Sequence, residues 1–437
     1  MARPDWPRFY FAISMGILLF GCGLAVGVLK VFPYRQLESL AAAGKHLAEY
    51  PLQALRIKPQ EFLVPLPQVP QVPAGTAAQA YAGSTFMTGF FGDNPGVWLV
   101  DMQGNTVHEW RVPFNSVWPE ARHLEKQPSN WGIDLMGAVL YPNGDVVFSF
   151  QFGGLVRVDK CSRVLWRLPE QTHHAVHRDV NGHLWVPSRK LHETASKEFP
   201  NIPAPFFEEF VLEISGDGKI LRELSILDAV YRSNYEGVLF ANGAHASRVS
   251  LPLDHDFTHL NDVDVLTPQL ATAFPLFEAG DVMVSLRNVN LVLVIDPATR
   301  RIKWSKTGPF LRQHDPDFMP NGRISVFDNR SDGSEPGAFG TSRIVETDPN
   351  NGWSVTTYGD RPDERFYTEK MGDHQLLPNG NTLITATLAG WVFEVTPERK
   401  IVWSYVNRWR DDSAAWISSA TRYPLEFLAQ VQQGDCP

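Results

Sequence analysis

Histidine is the side chain best suited to proton transfer and nucleophilic attack near neutral pH, because its unperturbed pKa is about 6.5. The chain holds 13 histidines in 437 residues, and several stand at matching places. Gln171-Thr172-His173-His174 lies seven residues ahead of Asn181-Gly182, and Gln313-His314-Asp315 lies seven ahead of Asn321-Gly322. Gly372-Asp373-His374 lies five ahead of Asn379-Gly380, and Thr258-His259-Leu260-Asn261-Asp262 holds the corresponding place in a fourth copy. Two arginines follow the matching apolar runs: Arg287 after Val284-Ser285-Leu286, and Arg330 after Val326-Phe327-Asp328-Asn329. Imidazoles beside guanidinium groups suit transfer of an anionic group, with a nucleophile, an acid and a clamp on the anion. One histidine alone more often caps a turn, and one arginine more often makes a surface ion pair. Repetition at one position favours a shared site. Four imidazoles could instead hold a transition metal, but arginines beside them oppose a cation, so no metal is expected.

The elements that position these residues are read from two repeating units. The first is an apolar run, Asn-Gly, and a second apolar run, as in AVLYPNGDVVFSF from Ala138 and HQLLPNGNTLITA from His374. Asn-Gly between such runs is a strong hairpin signal, since both residues tolerate positive φ. The second unit is an apolar strand, a polar turn and a strand often closing in Trp. It occurs six times, from GVWLVDMQGNTVHEW at Gly96 to GWVFEVTPERKIVW at Gly390. Two hairpins make a four-stranded antiparallel sheet of about 50 residues, the size of one propeller blade. The fold expected is all-β, a six-bladed β-propeller with an N-terminal transmembrane helix. Solenoids are the architectural alternative, with shorter repeats. In a propeller the first strand of each blade lines the central channel, which aims the histidines at one axis. An extra segment, Leu227 to Phe257, reads as a surface excursion.

Outside the repeats, Phe9 to Leu29 is an apolar run of 21 residues without a charge, about the length that spans a bilayer. It is too long for a signal-peptide core, so an uncleaved anchor is expected, and Gly23 and Gly27 could pack on a membrane-protein partner. The organisation expected is a tail and anchor over 1–33, a helix and Pro-rich spacer over 34–74, the propeller over 75–410 and a C-terminal tail over 411–437. A formal charge of −9 argues against a nucleic-acid partner. Of the three cysteines, Cys22 lies in the apolar run. Cys161, in a blade turn, and Cys436, in the tail, are expected to form a disulfide.

THLNDVDV with VSLRN downstream, QHDPDFMPNGRISVFDNR, and GDHQLLPNGNTLITAT with WVFEVTPERKIVW resemble bacterial arylsulfotransferases, in the same order along the chain. The similarity runs from about Gly96 to Arg422. The resemblance implies a six-bladed propeller that moves a sulfuryl group from an aryl sulfate donor to a phenolic acceptor through a sulfohistidine. It implies no cofactor and no use of phosphoadenosine phosphosulfate, and no GxxxxGK[ST] loop occurs to cradle a nucleotide. By the same resemblance His374 is the nucleophile, His259 and His314 are acid/base or anion-binding partners, and Arg330 clamps the sulfuryl oxygens. His174, Arg287 and Asn329 complete the substrate site. With the anchor retained, the expected location is the bacterial inner membrane, single-pass, with the propeller on the periplasmic side. A catalytically silent propeller scaffolding a membrane complex is the rival reading.

Overall fold

The computed structural model describes residues 6–29, 31–55, 57–73, 75–240, 256–332, 340–410, 412–431 and 436. Two units are distinct, Met1–Glu61 and Phe62–Pro437. In the first unit, a helix over Trp6–Leu29 contains Phe9–Val28, long and apolar enough to cross a membrane by length and composition. A signal sequence would meet the same test. A second helix, Tyr34–Glu49, follows. The flanking charges Arg3 and Lys30, which bear on orientation, lie outside the described residues.

The second unit is mostly β. Its described strands form six four-stranded antiparallel sheets and one three-stranded sheet. In chain order, the second sheet is Leu135–Leu140, Val146–Phe150, Gly154–Val158 and Val164–Leu168. The third starts at His177–Arg178, the fourth at Leu260–Val265, the fifth at His314–Phe318 and the sixth at Asp373–Leu376. The first sheet is discontinuous: Gly83–Phe91 pairs on one side with Asn94–Val100 and on the other with the last strand, Ile417–Pro424. The first strands of sheets two to six, together with Ile417–Pro424, neighbour one another in a closed cycle.

Alternation of side chains explains how this ring is held. Val146, Phe148 and Phe150 pack toward the first sheet, while the intervening Val147 packs toward the third. Likewise Val282, Val284 and Leu286 face the third sheet and Met283 faces the fifth. Strands buried on both faces therefore read as continuous apolar runs, and each interface between neighbouring sheets is filled by its own apolar layer. The Trp that closes several repeats has a defined task. Its indole N–H donates to a turn of the next sheet: Trp110 to the Gly144 carbonyl (3.0 Å), Trp166 to Gly216 (3.2 Å), Trp304 to Pro349 (3.1 Å). Trp403 of the sixth sheet reaches the Met102 carbonyl of the first at 2.9 Å, which links the two ends of the cycle. Arg422 adds a buried staple there. Its Nε donates to Thr85 Oγ1 (2.8 Å) and its Nη1 to the Tyr81 carbonyl (2.7 Å) and Glu394 Oε2 (3.3 Å).

Three expectations change. Residues 417–424 are an inner strand, not part of a tail, because Gly83–Phe91 presents an edge that only they complete. The spacer is docked from Phe62 onward: Phe62 stacks on Phe90 at 4.6 Å, and Leu63–Pro65 pairs with Ser413–Ala415. The segment after Leu227 is not a surface excursion throughout. Ser225 caps a helix over Ile226–Arg232, and Ile226, Leu227, Ala229 and Val230 are buried against the third and fourth sheets. Residues 241–255 of that segment lie outside the described residues. The tail helix runs Leu425–Val431, and Cys161 and Cys436 are joined as a disulfide with Cα atoms 5.4 Å apart.

Candidate functional site

The first strands and the turns before them line a cavity of about 520 Å³. His174, His314 and His374 face it, with Asn261, Asp262, Asp264, Asp315, Asp317 and Asp373. Among the described residues no Arg or Lys lines it. The cavity has an imidazole half and an acidic half.

In the imidazole half, His174 and His259 both adopt left-handed backbone, with φ of 54° and 53°. In the fifth sheet the left-handed residue is Asp315 (φ 51°), one position after His314. Such geometry in non-glycine residues costs about 1 kcal/mol or more each and must be held by the surroundings. Backbone bonds do so: the His174 carbonyl accepts from Gly137 N–H (2.8 Å) and the His259 carbonyl from Arg287 N–H (3.0 Å). A Cβ at Gly137 would meet the His174 oxygen at 2.6 Å, so only glycine fits that approach. The His174 ring lies 5.0 Å from that of His259 and 6.3 Å from that of His314.

Each ring is fixed differently. His174 Nδ1 is 2.8 Å from His173 Nδ1, and His173 Nε2 is 3.8 Å from Glu209 Oε1. His259 Nδ1 is 2.6 Å from Asp256 Oδ2. Burial opposes ionisation of Asp256, but the hydrogen bond and charge of His259 outweigh it and hold the carboxyl down at about 2. Burial, reinforced by the charge of Asp256, pushes Glu209 well above the usual carboxylate range. Glu209 accepts from Thr258 Oγ1 at 3.2 Å and from Leu260 N–H. His314 has both nitrogens filled: Nδ1 lies 2.7 Å from Asn329 Oδ1, and Nε2 accepts the Met371 N–H at 3.1 Å. Asn329 donates in turn to the carbonyls of Thr368 (3.0 Å) and Met371 (2.7 Å), so it positions His314 from behind. Burial, with the charge of Arg287, drives His314 down to about 3. Burial also holds His173 and His174 well below the ordinary imidazole value, so all three rings are neutral at pH 7.

In the acidic half, His374 Nδ1 lies 2.7 Å from Asp315 Oδ2, and its Nε2 lies 2.5 Å from Ser325 Oγ and 3.9 Å from Asp317 Oδ2. Burial lowers His374, against the pull of Asp317 and Asp373. Burial and mutual repulsion raise Asp262, Asp315 and Asp317 well above the usual carboxylate range, and burial raises Asp373.

Neither Arg287 nor Arg330 is in the lining of this cavity. Arg287 is half-buried, with Nε and Nη2 3.3 and 3.2 Å from Asn288 Oδ1, and its charge is felt by His174 and His314. Arg330, also left-handed (φ 52°), donates its backbone N–H to Asp328 Oδ1 at 3.1 Å. The side chain that pairs with Asp328 is Arg343, at 2.7 Å.

The cavity thus brings together His174, His314 and His374, with His259 against His174. It leaves Arg330 outside its lining. The four histidines do not form a metal set. Among the described residues, ligand atoms within 4.8 Å of one another occur in Asp179, His183 and Glu213, and in Asp315, Asp317 and His374. The acidic residues carry a different sequence signal from the histidines. Their signal is Asp-x-Asp within first strands, Asp262-Val263-Asp264 and Asp315-Pro316-Asp317; period-two alternation sets the first pair on one face, whereas the left-handed Asp315 and a register shift interrupt the ladder in the second.

Residues 137–408 match the family model described as arylsulfotransferase (ASST). Among curated proteins, none matches the chain. Among solved structures, a protein of unknown function from Bacteroides caccae is 13% identical, covering 78% of this chain and 99% of its own, with a TM-score of 0.47. TolB from Acinetobacter baumannii is 10% identical over 78% of this chain and 67% of its own, TM-score 0.42. Virginiamycin B lyase from Staphylococcus aureus is 10% identical over 62% and 69%, TM-score 0.34.

Proposed function

The chain belongs to the arylsulfotransferase family, and from that premise we propose that it moves a sulfuryl group from an aryl sulfate to a phenol through a sulfohistidine. The fold in this reading is a six-bladed β-propeller. Its blades are the six sheets, and its site is the channel mouth. No phosphoadenosine phosphosulfate takes part. The anchor holds the enzyme in the bacterial inner membrane with the propeller on the periplasmic side.

The observation that carries the reading is the state of His174. One of the two facing Nδ1 atoms of His173 and His174 must donate to the other. In the tautomer that places the His173 proton on Nε2, which has no described hydrogen-bond partner and lies 3.8 Å from Glu209 Oε1, His173 Nδ1 accepts and His174 Nδ1 donates. The lone pair of His174 then sits on Nε2, for which no partner is described, and burial keeps the ring unprotonated. That is a nucleophile ready at neutral pH. His374, the nucleophile implied by resemblance, has one ring nitrogen on Asp315 and the other on Ser325. We therefore place the nucleophile at His174.

In the first half-reaction Nε2 attacks sulfur and the sulfur–aryl oxygen bond breaks, the phenolate taking a proton from the Asp256–His259 pair as it leaves. In the second, an acceptor phenol attacks the same sulfur, His259 takes its proton, and the N–S bond breaks. Arg287 stabilises the anionic oxygens from beside His174 and His314. The test is turnover of a chromogenic aryl sulfate by the full chain, with peptide mapping after exposure to donor alone. A sulfuryl group on His174, lost in His174→Asn, supports the proposal. A label on His374 returns the nucleophile to the place the resemblance implies. Absence of both turnover and label refutes the catalytic reading and favours the scaffold.

A further inference from the structure

Glu209 takes no part in the reaction above, yet it is a buried carboxyl one ring removed from the proposed nucleophile. It stands on Phe206–Ile214, opposite Arg189 in the ladder, and is 1% exposed. Its two oxygens are not equivalent. Oε2 accepts from Thr258 Oγ1 at 3.2 Å and from the Leu260 N–H, whereas Oε1 lies 3.8 Å from His173 Nε2. His173 is equally buried, with its backbone N–H on the Pro187 carbonyl at 3.0 Å and its ring 5.0 Å from that of Phe152. Its Nδ1 meets His174 Nδ1 at 2.8 Å, and its Nε2 has no hydrogen-bond partner among the described residues. Exchangeable protons thus line up from the cavity through His174 and His173 to Glu209.

We propose that Glu209 is a positioning residue whose charge selects the tautomers of His173 and His174, and so switches the nucleophile on. The inference rests on the sulfuryl-transfer reading for its effect on rate, but not for the tautomers themselves. Because two donors hold Oε2 as an acceptor, a proton on Glu209 sits on Oε1, toward His173. An ionised Glu209 instead favours the Nε2–H of His173, which leaves Nδ1 to accept from His174 and a lone pair on His174 Nε2. Acidification reverses the chain. A proton enters from the cavity at His174 Nε2, His174 passes its Nδ1 proton to His173 Nδ1, and His173 passes its Nε2 proton to Glu209 Oε1. One proton has been taken up, both rings remain neutral, and His174 Nε2 has lost the lone pair that attacks sulfur. The last transfer needs His173 and Glu209 to close to hydrogen-bond distance, a shift of about 1 Å.

The charges around Glu209 set where the switch lies. Arg189, across the ladder, favours the carboxylate, and Asp256 opposes it. His259, bonded to Asp256, and His173 are the other titratable neighbours, while Glu208 turns to His192 and Ser225. Burial, with the charge of Asp256, holds Glu209 above the usual carboxylate range, so turnover should rise with pH through its ionisation.

The experiment uses the full chain in detergent, isotopically labelled at its histidine nitrogens. NMR separates protonated from bare ring nitrogens, and His174→Asn identifies the His174 signals. In wild type the His174 proton is expected on Nδ1 above the transition and on Nε2 below it, with turnover of a chromogenic aryl sulfate falling in step. In Glu209→Gln the amide oxygen replaces Oε2 and the NH₂ faces His173, which fixes His174 with hydrogen on Nε2 throughout. Exchanging a carboxylate for an amide beside a catalytic imidazole costs about 10⁴ in kcat through the wrong tautomer; with a second ring between, Glu209→Gln should lose about 10² or more, with KM little changed and the acid limb gone. Glu209→Asp keeps the charge and alters the shape, so it should retain more activity than Glu209→Gln, the reverse of what a packing role gives. An unchanged His174 tautomer in Glu209→Gln, no exchange with pH in wild type, or Glu209→Gln more active than Glu209→Asp each overturns the proposal. Absence of turnover in wild type sinks the sulfuryl-transfer reading, and the tautomers then decide this one alone.

Discussion

Removing the guanidinium of Arg422 tests how the ends of the ring are joined. Arg422 and Glu394 are both 0% exposed at the side chain and lie 3.3 Å apart. The guanidinium also sits 4.4 Å over the ring of Trp403. Glu394 keeps two donors of its own, the Tyr81 N–H and Asn381 Nδ2, each at 2.7 Å. Burial depresses Arg422 to about 10 despite Glu394, so the protein already bears part of the cost of burying this charge. Breaking a buried pair from one side typically costs about 3–5 kcal/mol, because the remaining charge is stranded. Arg422→Met should therefore lose about 3 kcal/mol, near the lower bound, since Glu394 retains donors. Glu394→Gln should cost a similar amount, leaving the cation with only neutral acceptors. The double variant should cost no more than either single, a coupling of about 3 kcal/mol in a double-mutant cycle. Urea unfolding followed by tryptophan fluorescence reads all four proteins. Additive single costs would refute the argument that the two charges answer each other, and a cost under about 0.5 kcal/mol for Arg422→Met would refute the staple itself.

Acidification should destabilise the protein through its neutral imidazoles. An imidazole held at about 3 when folded is unprotonated while the unfolded chain takes a proton below about 6.5, so stability is full above 6.5 and falls from there toward 3. Each such ring contributes up to about 1.4 kcal/mol per pH unit, and His314→Gln should flatten the acid limb between pH 6 and 4; parallel curves for variant and wild type would count against it. The Cys161–Cys436 disulfide closes a separation of 275 residues, for which the chain-entropy relation gives about 5–6 kcal/mol as an upper bound. Non-reducing peptide mapping should recover the linked pair, and Cys436→Ser should lower the urea midpoint; two alkylated thiols without prior reduction would remove the bond. Protease added outside spheroplasts should digest the propeller and leave a small membrane-bound fragment, whereas protection of the whole chain would reverse the proposed orientation.

The hairpins were legible because each is closed locally: Asn-Gly turns, alternating burial and terminal Trp lie within a few residues of what they organise. The strand Ile417–Pro424 was not, because its partner Gly83–Phe91 lies at the other end of the chain and nothing local marks it. The histidine positions were legible by spacing from Asn-Gly. Their equivalence was only partial, since the left-handed residue is the histidine in two sheets and Asp315 in the fifth. The pairing of Asp315 and Ser325 with His374 joins neighbouring sheets, and no spacing within one repeat reveals such contacts. Arg330 follows an apolar run in the sequence and is not in the cavity lining. The left-handed turn at that residue carries the chain out of the strand's alternation.

The split first sheet has a consequence for biosynthesis. Gly83–Phe91, Asn94–Val100 and Thr106–Trp110 leave the ribosome together, but the strand that covers the edge of Gly83–Phe91 is made roughly 300 residues later. At about 5–20 residues per second, that edge stays open for roughly 15–60 s, long enough for pairing with other chains. Newborn chains are therefore expected to need a holding chaperone until residue 424 has emerged, and a nonsense mutation upstream of Ile417 should yield an aggregating product however complete its other five sheets.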